Sequence, residues 1–330
     1  MKILIACSSS GGHINPAINF GNYLKSKNHE VTYLGFKNQI ESKIILKDSL
    51  ISIDGENSFK KNVHKMNFIK IFKQICLINK KENYDLYIGF GGFINFLLIF
   101  LKKKPLFIHE QNVKLGDTNK IVRLFSKKVF YSFENNDKKG IIVGNPSAAY
   151  IKPKEFNYKK NLNIIFVFGS LGSKSLINKL IQFDGKLNNN HKYTLVTGLS
   201  DKNQVNYNFK QINKIDYFNL KDCINDYDLI ICRGGATTLY EVLKARINCI
   251  SIPSPYVKNN HQEANVDYLV EKNLISKIKE KDLSLETLER EINNFIDYDY
   301  ALSRYQDLSE LKLKDSNELI YDELIKHVKD

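Results

Sequence analysis

Short apolar runs alternate with longer segments of helical period along most of this chain, which is the pattern of βα units around a parallel sheet. In the first half, strands are expected at 2–7, 30–34, 50–53, 85–90, 105–109, 128–132 and 140–143. The pattern starts again in the second half, with strands expected at 163–168, 192–197, 228–232, 248–253 and 275–278. The sequence therefore predicts two α/β domains.

The same pattern predicts the domain boundaries. Residues 1–145 form the first domain, and residues 146–161 form a polar linker that carries two of the six prolines. Residues 162–297 form the second domain, and residues 298–330 are charged and helical without a strand signal. Open parallel sheets bind ligands beyond the carboxyl ends of their strands. We therefore expect two Rossmann-like domains whose parallel sheets face each other across a cleft.

The positive charge of the chain is confined to its first half. The net charge is +13, and residues 1–157 hold 25 Lys and Arg against 12 Asp and Glu, whereas residues 158–330 hold 24 of each. A biased genome would raise lysine in both halves. The asymmetry indicates an anionic partner such as a membrane surface, a pyrophosphate or a nucleic acid. Nucleic acid is disfavoured, because no recognised nucleic-acid motif is present.

The cysteines and the apolar runs indicate a cytoplasmic protein. The five cysteines are widely spaced and form no C-x-x-C pair, which argues against a disulfide framework or a thiolate zinc site. The first apolar run, 3–7, is too short for a signal peptide, and the longest, 93–101, is too short to span a bilayer.

Two glycine turns follow strands of the first half. Ser10, Gly11, Gly12 and His13 come after the first strand, and Gly91 and Gly92 come after the fourth. Small residues let backbone N–H groups at a helix N-terminus approach an anion, and His13 can titrate near neutral pH. A purely structural turn is about equally compatible with a lone Gly-Gly-His. The turn has neither a G-x-G-x-x-G pattern nor a G-K-[ST] ending, which excludes the dinucleotide and P-loop fingerprints.

Polar residues also end the next strand and recur in the second half. The run His109, Glu110, Gln111 and Asn112 is expected to point into the cleft, although ordinary loop polarity is the alternative. In the second half, Gly-rich turns at 169–172 and 233–236 each lead from a strand into a helix, and the second of these helices carries Glu241. A later helix carries Gln262 and Asn265 on one face.

At these residues the sequence resembles the MurG-type glycosyltransferases, which transfer N-acetylglucosamine from its UDP ester to the undecaprenyl-linked muramyl-pentapeptide. The matching motifs keep the family's order over nearly the whole chain. They are S-G-G-H at 10–13 for the family's T-G-G-H, G-G-F at 91–93, H-E-Q-N at 109–112 with T-N-K at 118–120, G-N-P at 144–146, G-S-L-G at 169–172, R-G-G-A at 233–236 with Glu241, and H-Q at 261–262 with Asn265.

The resemblance implies the GT-B fold, with the nucleotide sugar held mainly by the second domain, the lipid acceptor by the first, and the last helix returning to the first domain. It implies donor contacts from the first domain at Ser10, Gly11, Gly12 and Asn112. From the second domain it implies donor contacts at Ser170, Gly172, Phe218, Ala236, Thr237, Thr238, Leu239, Tyr240, Glu241, Gln262 and Asn265. The acceptor side would hold Gly91, Gly92, His109 and Glu110.

The expected reaction is an inverting transfer with His13 as the general base. The partners implied are UDP-GlcNAc, the lipid-linked muramyl-pentapeptide and an anionic membrane surface, with the protein bound peripherally at the cytoplasmic face. Segment 63–73 interleaves apolar residues with lysines, and segment 96–104 is an apolar run that ends in three lysines, so both are candidates for contact with the membrane. Core helices with solvated edges have the same pattern. No cofactor and no catalytic metal are expected, because no D-x-D pair closes a strand near the donor site.

One departure from the family pattern keeps alternatives open. Ala148 stands where the family has an arginine that reaches the donor, which predicts weaker donor binding. The alternatives are a related GT-B transferase for another lipid acceptor, and a non-catalytic membrane- or nucleic-acid-binding module with a decayed donor site. The H-E-Q-N run argues against the first alternative. The second is disfavoured as a nucleic-acid binder, because few aromatics are interleaved with the basic runs and no recognised nucleic-acid motif is present.

Overall fold

The computed structural model describes residues 1–8, 10–39, 41–45, 49–56, 67–169, 172–198, 208–215 and 220–328. The chain forms two compact units, one of Met1–Ala149 together with Lys314–Asp330 and the other of Tyr150–Leu313. The first unit is therefore discontinuous in the sequence, because its last segment follows the whole of the second unit.

The first unit contains one parallel sheet of seven strands. The strands are β1 (Lys2–Ala6), β2 (Glu30–Phe36), β3 (Leu50–Ile53), β4 (Leu86–Gly89), β5 (Leu106–Glu110), β6 (Lys128–Tyr131) and β7 (Gly140–Ile142). Their order in the sheet is β3-β2-β1-β4-β5-β6-β7, and all neighbouring pairs are parallel. Each strand lies where the sequence predicted one, with ends that differ by no more than two residues.

Both faces of this sheet are buried, as β1 shows. Ile3 and Ile5 belong to an apolar cluster that includes Phe20, whereas Leu4 belongs to a second cluster that includes Ile75. Successive residues of a strand point to opposite faces, so a strand covered on both sides needs an unbroken apolar run. This is why the strand signal in the sequence was continuous and not alternating.

Among the described residues of the first unit, five helices precede the second unit in the sequence. They are α1 (Gly11–Ser26), α2 (Glu41–Ile44), α3 (Asn67–Lys81), α4 (Ile94–Leu97) and α5 (Asp117–Val122). Phe20 and Leu24 of α1 pack in the cluster on the Ile3 face, and Ile71 and Ile75 of α3 pack in the cluster on the opposite face. The sheet is thus covered by helices on both sides.

The second unit contains a parallel sheet of six strands. They are β8 (Asn163–Val167), β9 (Lys192–Val196), β10 (Ile212–Ile215), β11 (Leu229–Cys232), β12 (Asn248–Ser251) and β13 (Ser276–Lys277), in the order β10-β9-β8-β11-β12-β13. Five of these strands were predicted, and β10 was missed. Its sequence, Ile-Asn-Lys-Ile, has no apolar run, because it lies at an edge of the sheet and exposes its two central side chains.

Six helices belong to the second unit. They are α6 (Lys174–Phe183), α7 (Leu220–Cys223), α8 (Ala236–Ala245), α9 (His261–Glu271), α10 (Leu285–Asn294) and α11 (Tyr298–Glu310). One large apolar cluster joins Ile164 and Phe166 of β8 to Leu180 of α6 and Leu288 of α10. Within the described part of the chain, no helix is long and apolar enough to cross a bilayer.

The segment expected as a linker is shared between the two units. Residues 146–149 belong to the first unit, and residues 150–161 belong to the second. The rings of Phe156 and Tyr158 pack against that of Tyr298, with centroids 6.0 and 5.2 Å away. The Lys154 amide donates to the carbonyl oxygen of Ala245 at 2.9 Å. These contacts hold the segment on the second unit.

The C-terminal segment, expected to return to the first domain, also divides. Helix α11 buries Ala301 and Leu308 within the second unit, so only the final helix, α12 (Ser316–Lys326), lies in the first unit. Ile320 and Leu324 of α12 are fully buried in the cluster that contains Ile3. Helix α12 therefore completes one face of the first unit's core.

We expect Leu324→Ala to destabilise the first unit by about 2–5 kcal/mol, because it removes a fully buried side chain and leaves a cavity. Hydrogen exchange followed by mass spectrometry should show lost protection in β1 and β4 and retained protection in β8 and β11. The matched control is Asp322→Ala, an exposed position on the same helix, which should change neither. Unchanged exchange in β1 after Leu324→Ala would contradict the assigned packing.

Candidate functional site

A hydrogen bond fixes the histidine of the Gly-Gly-His turn after β1. The Nδ1 atom of His13 lies 2.9 Å from the carbonyl oxygen of Ser8. Because a carbonyl oxygen only accepts, Nδ1 must carry a proton, and Nε2 is the basic nitrogen of the neutral ring. The structure thus gives His13 the tautomer that a general base at Nε2 requires.

The first turn of α1 can bind an anion. Ser10 precedes the helix in an extended conformation and is exposed, and Gly11 and Gly12 are half-buried. The first turn contains no acidic residue. A helix N-terminus carries N–H donors and partial positive charge, so these residues form a suitable place for phosphate oxygens.

The second glycine turn lies beside the first. Strands β1 and β4 are paired with Ala6 opposite Gly89, so the residues that follow them emerge side by side. Gly91 and Gly92 have φ angles of 118° and 85°, which favour glycine. The turn therefore depends on both glycines and adjoins His13.

His109 is a buried structural residue. Its Nε2–H donates to the carbonyl oxygen of Gly144 at 2.8 Å, and its Nδ1 accepts from the Gln111 side-chain amide at 3.1 Å. The same amide donates to the carbonyl oxygen of Phe90 at 2.9 Å. Burial lowers the pKa of His109 to about 4, outweighing the opposite effect of the Gly144 hydrogen bond, so the ring is neutral near pH 7.

Glu110 organises the loop that follows β5. One carboxylate oxygen accepts from the backbone and side-chain amides of Asn112, both at 3.0 Å. The other accepts from the Gly116 amide and the Asn119 side chain, both at 2.9 Å. Asn119 in turn accepts from the buried side chain of Asn95 at 3.0 Å. The carboxylate thus fixes Asn112, which is half-buried and the most accessible of the four motif residues.

The expectation that this run points into a cleft needs correction. His109, Glu110 and Gln111 are buried, and the His109 ring, the Glu110 carboxylate and the Gln111 NH2 group bond to neighbouring backbone and side chains. The two proposed acceptor-side residues, His109 and Glu110, therefore support the loop from beneath. The polar character of these residues could not show whether they face a ligand or support the loop, because their hydrogen-bond partners come from distant parts of the chain.

Ala148, at the position of the family arginine, lies inside the first unit. It ends a short 3-10 turn, Pro146–Ala148, in which the Asn145 side chain accepts from the Ser147 amide at 3.0 Å. Only 1% of Ala148 is exposed. An arginine could be placed here only if the turn shifted, so the local structure is adapted to a small residue.

In the second unit, the Arg-Gly-Gly-Ala motif forms the entry to α8. Gly235 and Thr238 are half-buried. The remaining positions on this helix that are expected to contact the donor are buried, namely Ala236, Thr237, Leu239, Tyr240 and Glu241. Leu239 and Tyr240 pack in the interior, so they can contribute backbone and packing but little side-chain surface. Glu241 keeps 6% of its surface exposed.

Arg233 ties four segments together beneath this entry. Its guanidinium donates to Glu280 at 2.6 Å, to the carbonyl oxygen of Ile252 at 3.2 Å and to the hydroxyl groups of Ser173 and Ser175 at 2.7 and 3.3 Å. Partial burial acts to raise the pKa of Glu280, but hydrogen bonds from Arg233 and Ser175 hold it below its usual value. Arg233 thus fixes the start of α6 relative to the α8 entry.

The glycine loop after β8 is only partly described. Gly172 has a φ of 70°, and a Cβ there would collide with the carbonyl oxygen of Thr197. Gly172 therefore permits close packing against the end of β9. Ser170 and Phe218, both expected at the donor, lie outside the described residues.

Helix α9 supports the loop between β11 and α8. The Asn265 side chain is fully buried and donates to the carbonyl oxygen of Gly234 at 3.1 Å. Gln262 is half-buried, and its Oε1 accepts from the Ser254 amide at 2.9 Å. A Cβ at Gly234 would lie 2.6 Å from the Gln262 carbonyl oxygen. Asn265 is thus a loop support, and Gln262 offers its amide NH2 as a donor.

No group of three or more His, Cys, Asp or Glu side chains suited to a metal ion occurs among the residues that the structure describes.

We expect the first unit to lose stability as the pH falls from 6.5 to 4 because of His109. Between its ordinary pKa of 6.5 and the folded value of about 4, the unfolded chain binds a proton that the native state excludes, so stability falls with pH. The loss is roughly 3 kcal/mol at pH 4. Urea denaturation followed by tyrosine fluorescence at several pH values measures it.

The comparison is between His109→Gln and His327→Gln. The first should flatten the pH dependence of the first unit's unfolding free energy over this interval. The second, at the half-buried histidine that follows α12, should retain it. An unchanged slope in His109→Gln would show that another group is responsible.

Comparisons with known proteins agree with these observations. The sequence model of the glycosyltransferase family 28 N-terminal domain matches residues 3–131, and that of the family's C-terminal domain matches residues 163–319. A UDP-N-acetylglucosamine--N-acetylmuramyl-(pentapeptide) pyrophosphoryl-undecaprenol N-acetylglucosamine transferase of a Sulfurihydrogenibium species is 32% identical, with 99% of each chain covered. The transferase of the same name from Thermoanaerobacter pseudethanolicus is 31% identical, with 99% of this chain and 100% of the relative covered.

Solved structures show the same fold. The MurG of Acinetobacter baumannii has a TM-score of 0.78 and 21% identity, with 99% of this chain and 100% of that chain covered. The calicheamicin glycosyltransferase CalG4 has a TM-score of 0.69 and 9% identity, with 100% and 98% covered. The prediction of two GT-B glycosyltransferase domains with parallel sheets is confirmed. Both domains of the family are present in order, and the chain therefore belongs to glycosyltransferase family 28 and to its MurG-type members.

Proposed function

We propose that this protein transfers N-acetylglucosamine from UDP-N-acetylglucosamine to the undecaprenyl-pyrophosphoryl-linked muramyl-pentapeptide, with inversion at the anomeric carbon. The observation that carries the proposal is its identity of 32% and 31% with transferases named for this reaction, over 99% of the chain. The positions of His13 and of the α8 entry support it, because the first supplies a base and the second a helix end suited to phosphate.

In the first unit, His13 accepts the proton of the acceptor hydroxyl. As the acceptor oxygen attacks the anomeric carbon, its proton passes to Nε2. The hydrogen bond from Nδ1–H to the carbonyl oxygen of Ser8 stabilises the imidazolium that forms. The same bond keeps the ring in one tautomer before the reaction.

In the second unit, the start of α8 binds the leaving diphosphate. The bond between the anomeric carbon and the UDP oxygen breaks, and its electron pair leaves with the diphosphate. Backbone N–H groups near Gly235 and the helix dipole stabilise this charge. Glu241 accepts hydrogen bonds from the ribose hydroxyls, and the Gln262 amide donates to the sugar.

A transferase for another lipid-linked acceptor is the alternative that the substitution at Ala148 leaves open. The two candidates share the donor step and differ in the acceptor. Assays with UDP-GlcNAc and a panel of lipid-linked acceptors distinguish them, and transfer to a lipid without the muramyl-pentapeptide at an equal rate would favour the alternative.

Replacing His13 and Glu241 should affect different kinetic constants. His13→Ala should lower kcat by about 10² to 10⁴ with little change in the donor KM, because a general base acts in the transition state. Glu241→Gln should chiefly raise the donor KM, by roughly ten-fold, because it weakens a charged hydrogen bond made in both states. Steady-state kinetics with UDP-GlcNAc and the lipid-linked muramyl-pentapeptide separate the two effects.

The control is Asn22→Ala, an exposed position on α1, which should leave both constants unchanged. Near-normal kcat in His13→Ala would remove His13 as the base. A Glu241→Gln protein with normal donor KM would remove the proposed ribose contact.

We also propose that the first unit binds the surface of an anionic membrane through α3 and its neighbours. Ile69, Phe72 and Leu77 of α3 are exposed by 53, 43 and 54%, and they lie among lysines of the same helix. By contrast, Leu97 and Leu98, in the second segment expected to contact lipid, are buried in the core. Residues 63–66 of the first segment lie outside the described part of the chain.

A second apolar patch was missed by the sequence analysis. Leu124 and Phe125, just after α5, are exposed by 67 and 60%, and Ile121 by 48%. Lys120 and Lys127 flank them. The patch combines exposed apolar side chains with lysine, the composition that anionic lipid surfaces attract. The patch is too short to show a helical period in the sequence, so periodicity could not reveal it.

Changing Lys102, Lys103 and Lys104 to Glu should release the protein from anionic vesicles. Lys102 lies against α3, since its amide donates to Asn79 at 2.7 Å, and each lysine near the surface contributes on the order of 1 kcal/mol. Co-sedimentation with phosphatidylglycerol vesicles measures the effect. The matched control changes the exposed Lys186, Lys279 and Lys281 of the second unit to Glu. Equal sedimentation of the two triple variants would refute a specific surface on the first unit.

A further inference from the structure

We propose that Gly91 is a positioning residue for His13, because the absence of a side chain at Gly91 leaves room for the imidazole ring in the place where the Ser8 hydrogen bond holds it. The inference rests on the proposed role of His13 as the base. It assigns to the second glycine turn a task in the proton transfer that is separate from binding phosphate.

The strand register places Gly91 beside the atom that holds His13. Strands β1 and β4 pair with Ala6 opposite Gly89, and the amide of Phe90 donates to the carbonyl oxygen of Ala6 at 2.8 Å. Ser8 lies two residues beyond Ala6, and Gly91 lies two residues beyond Gly89. The two turns therefore leave the sheet as neighbours, and both contact the same imidazole.

The ring lies directly against the backbone of Gly91. A Cβ built there would lie 2.6 Å from Cδ2, 2.7 Å from Nε2 and 2.9 Å from Cγ of His13. All three distances are shorter than any that real Cβ atoms show, and all three atoms belong to one edge of the ring. Any side chain at position 91 would collide with that edge.

The imidazole has little room to avoid such a collision. Its Nδ1–H is bound to the carbonyl oxygen of Ser8 at 2.9 Å, so a movement away from Gly91 strains or breaks that bond. Loss of the bond would also release the tautomer. A methyl group at Gly91 would thus displace the ring and cover the nitrogen that accepts the proton.

The first test is the kinetics of Gly91→Ala. We expect kcat to fall by about 10²-fold, the effect of a misplacement of about 1 Å at a reacting group, with the KM for UDP-GlcNAc within about two-fold of the parent. The acidic limb of the kcat/KM pH profile should shift as well, because the environment of the base changes. A purely structural glycine would leave the pH profile in place.

The second test is a double-mutant cycle with His13→Ala. Once the ring is absent, Gly91→Ala has nothing to displace, so it should lower kcat no further in the His13→Ala background. The drop in Tm caused by Gly91→Ala should likewise be smaller in that background. Additive effects on both quantities would overturn the proposal. If His13→Ala alone retains kcat, His13 is not the base. The double-mutant cycle measured by Tm then still tests whether Gly91 makes room for the imidazole ring.

Gly185→Ala controls for backbone strain. Gly185 has a φ of 79°, and among the described residues a Cβ there meets only the Lys210 side chain, at 3.6 Å. This variant carries the strain of a positive φ without a collision, and we expect unchanged kcat and pH profile. If Gly91→Ala behaves like Gly185→Ala, the contact between Gly91 and His13 has no role in the reaction.

Discussion

The hydrogen-bonded register of the central parallel strands is the constraint on which the rest of the structure depends. In the first unit, the pairing of β1 with β4 decides which residues of the two glycine turns meet. In the second unit, the pairing of β11 with β8 and β12 brings the residues after Val167, Cys232 and Ser251 to one edge. A shift of the strand register by one residue would move every side chain to the opposite face of the sheet. Because both faces are buried and packed, such a shift is strongly disfavoured.

Buried polar side chains transmit this order from the strands to the loops. His109, Glu110, Arg233 and Asn265 are all buried, and each bonds to backbone atoms or to polar side chains from other segments. An unpaired polar group in the interior is costly, so each of these residues forces its partners into one arrangement. The half-buried Asn112 is held in this way, since both of its amide groups donate to Glu110.

The sequence predicted the strands well because both sheets are covered on both faces, and covered strands are continuous apolar runs. It missed β10, whose central Asn213 and Lys214 are exposed at an edge. It predicted that His13 lies in a turn after the first strand, since consecutive glycines and a histidine after an apolar run indicate such a turn without information from the rest of the chain. It could not separate contact residues from supports such as His109 and Asn265, because their partners, Gly144 and Gly234, are fixed only by the fold.

The discontinuity of the first unit bears on how the chain folds during synthesis. Domains generally begin to fold from the N-terminus as they leave the ribosome. Here residues 1–149 emerge long before α12, so the apolar cluster around Ile3 lacks Ile320 and Leu324 until the whole second unit has been synthesised. The second unit is complete before then. The part of the first unit that is synthesised first therefore keeps one face of its core open while the second unit emerges, and in that interval the open face is exposed to aggregation.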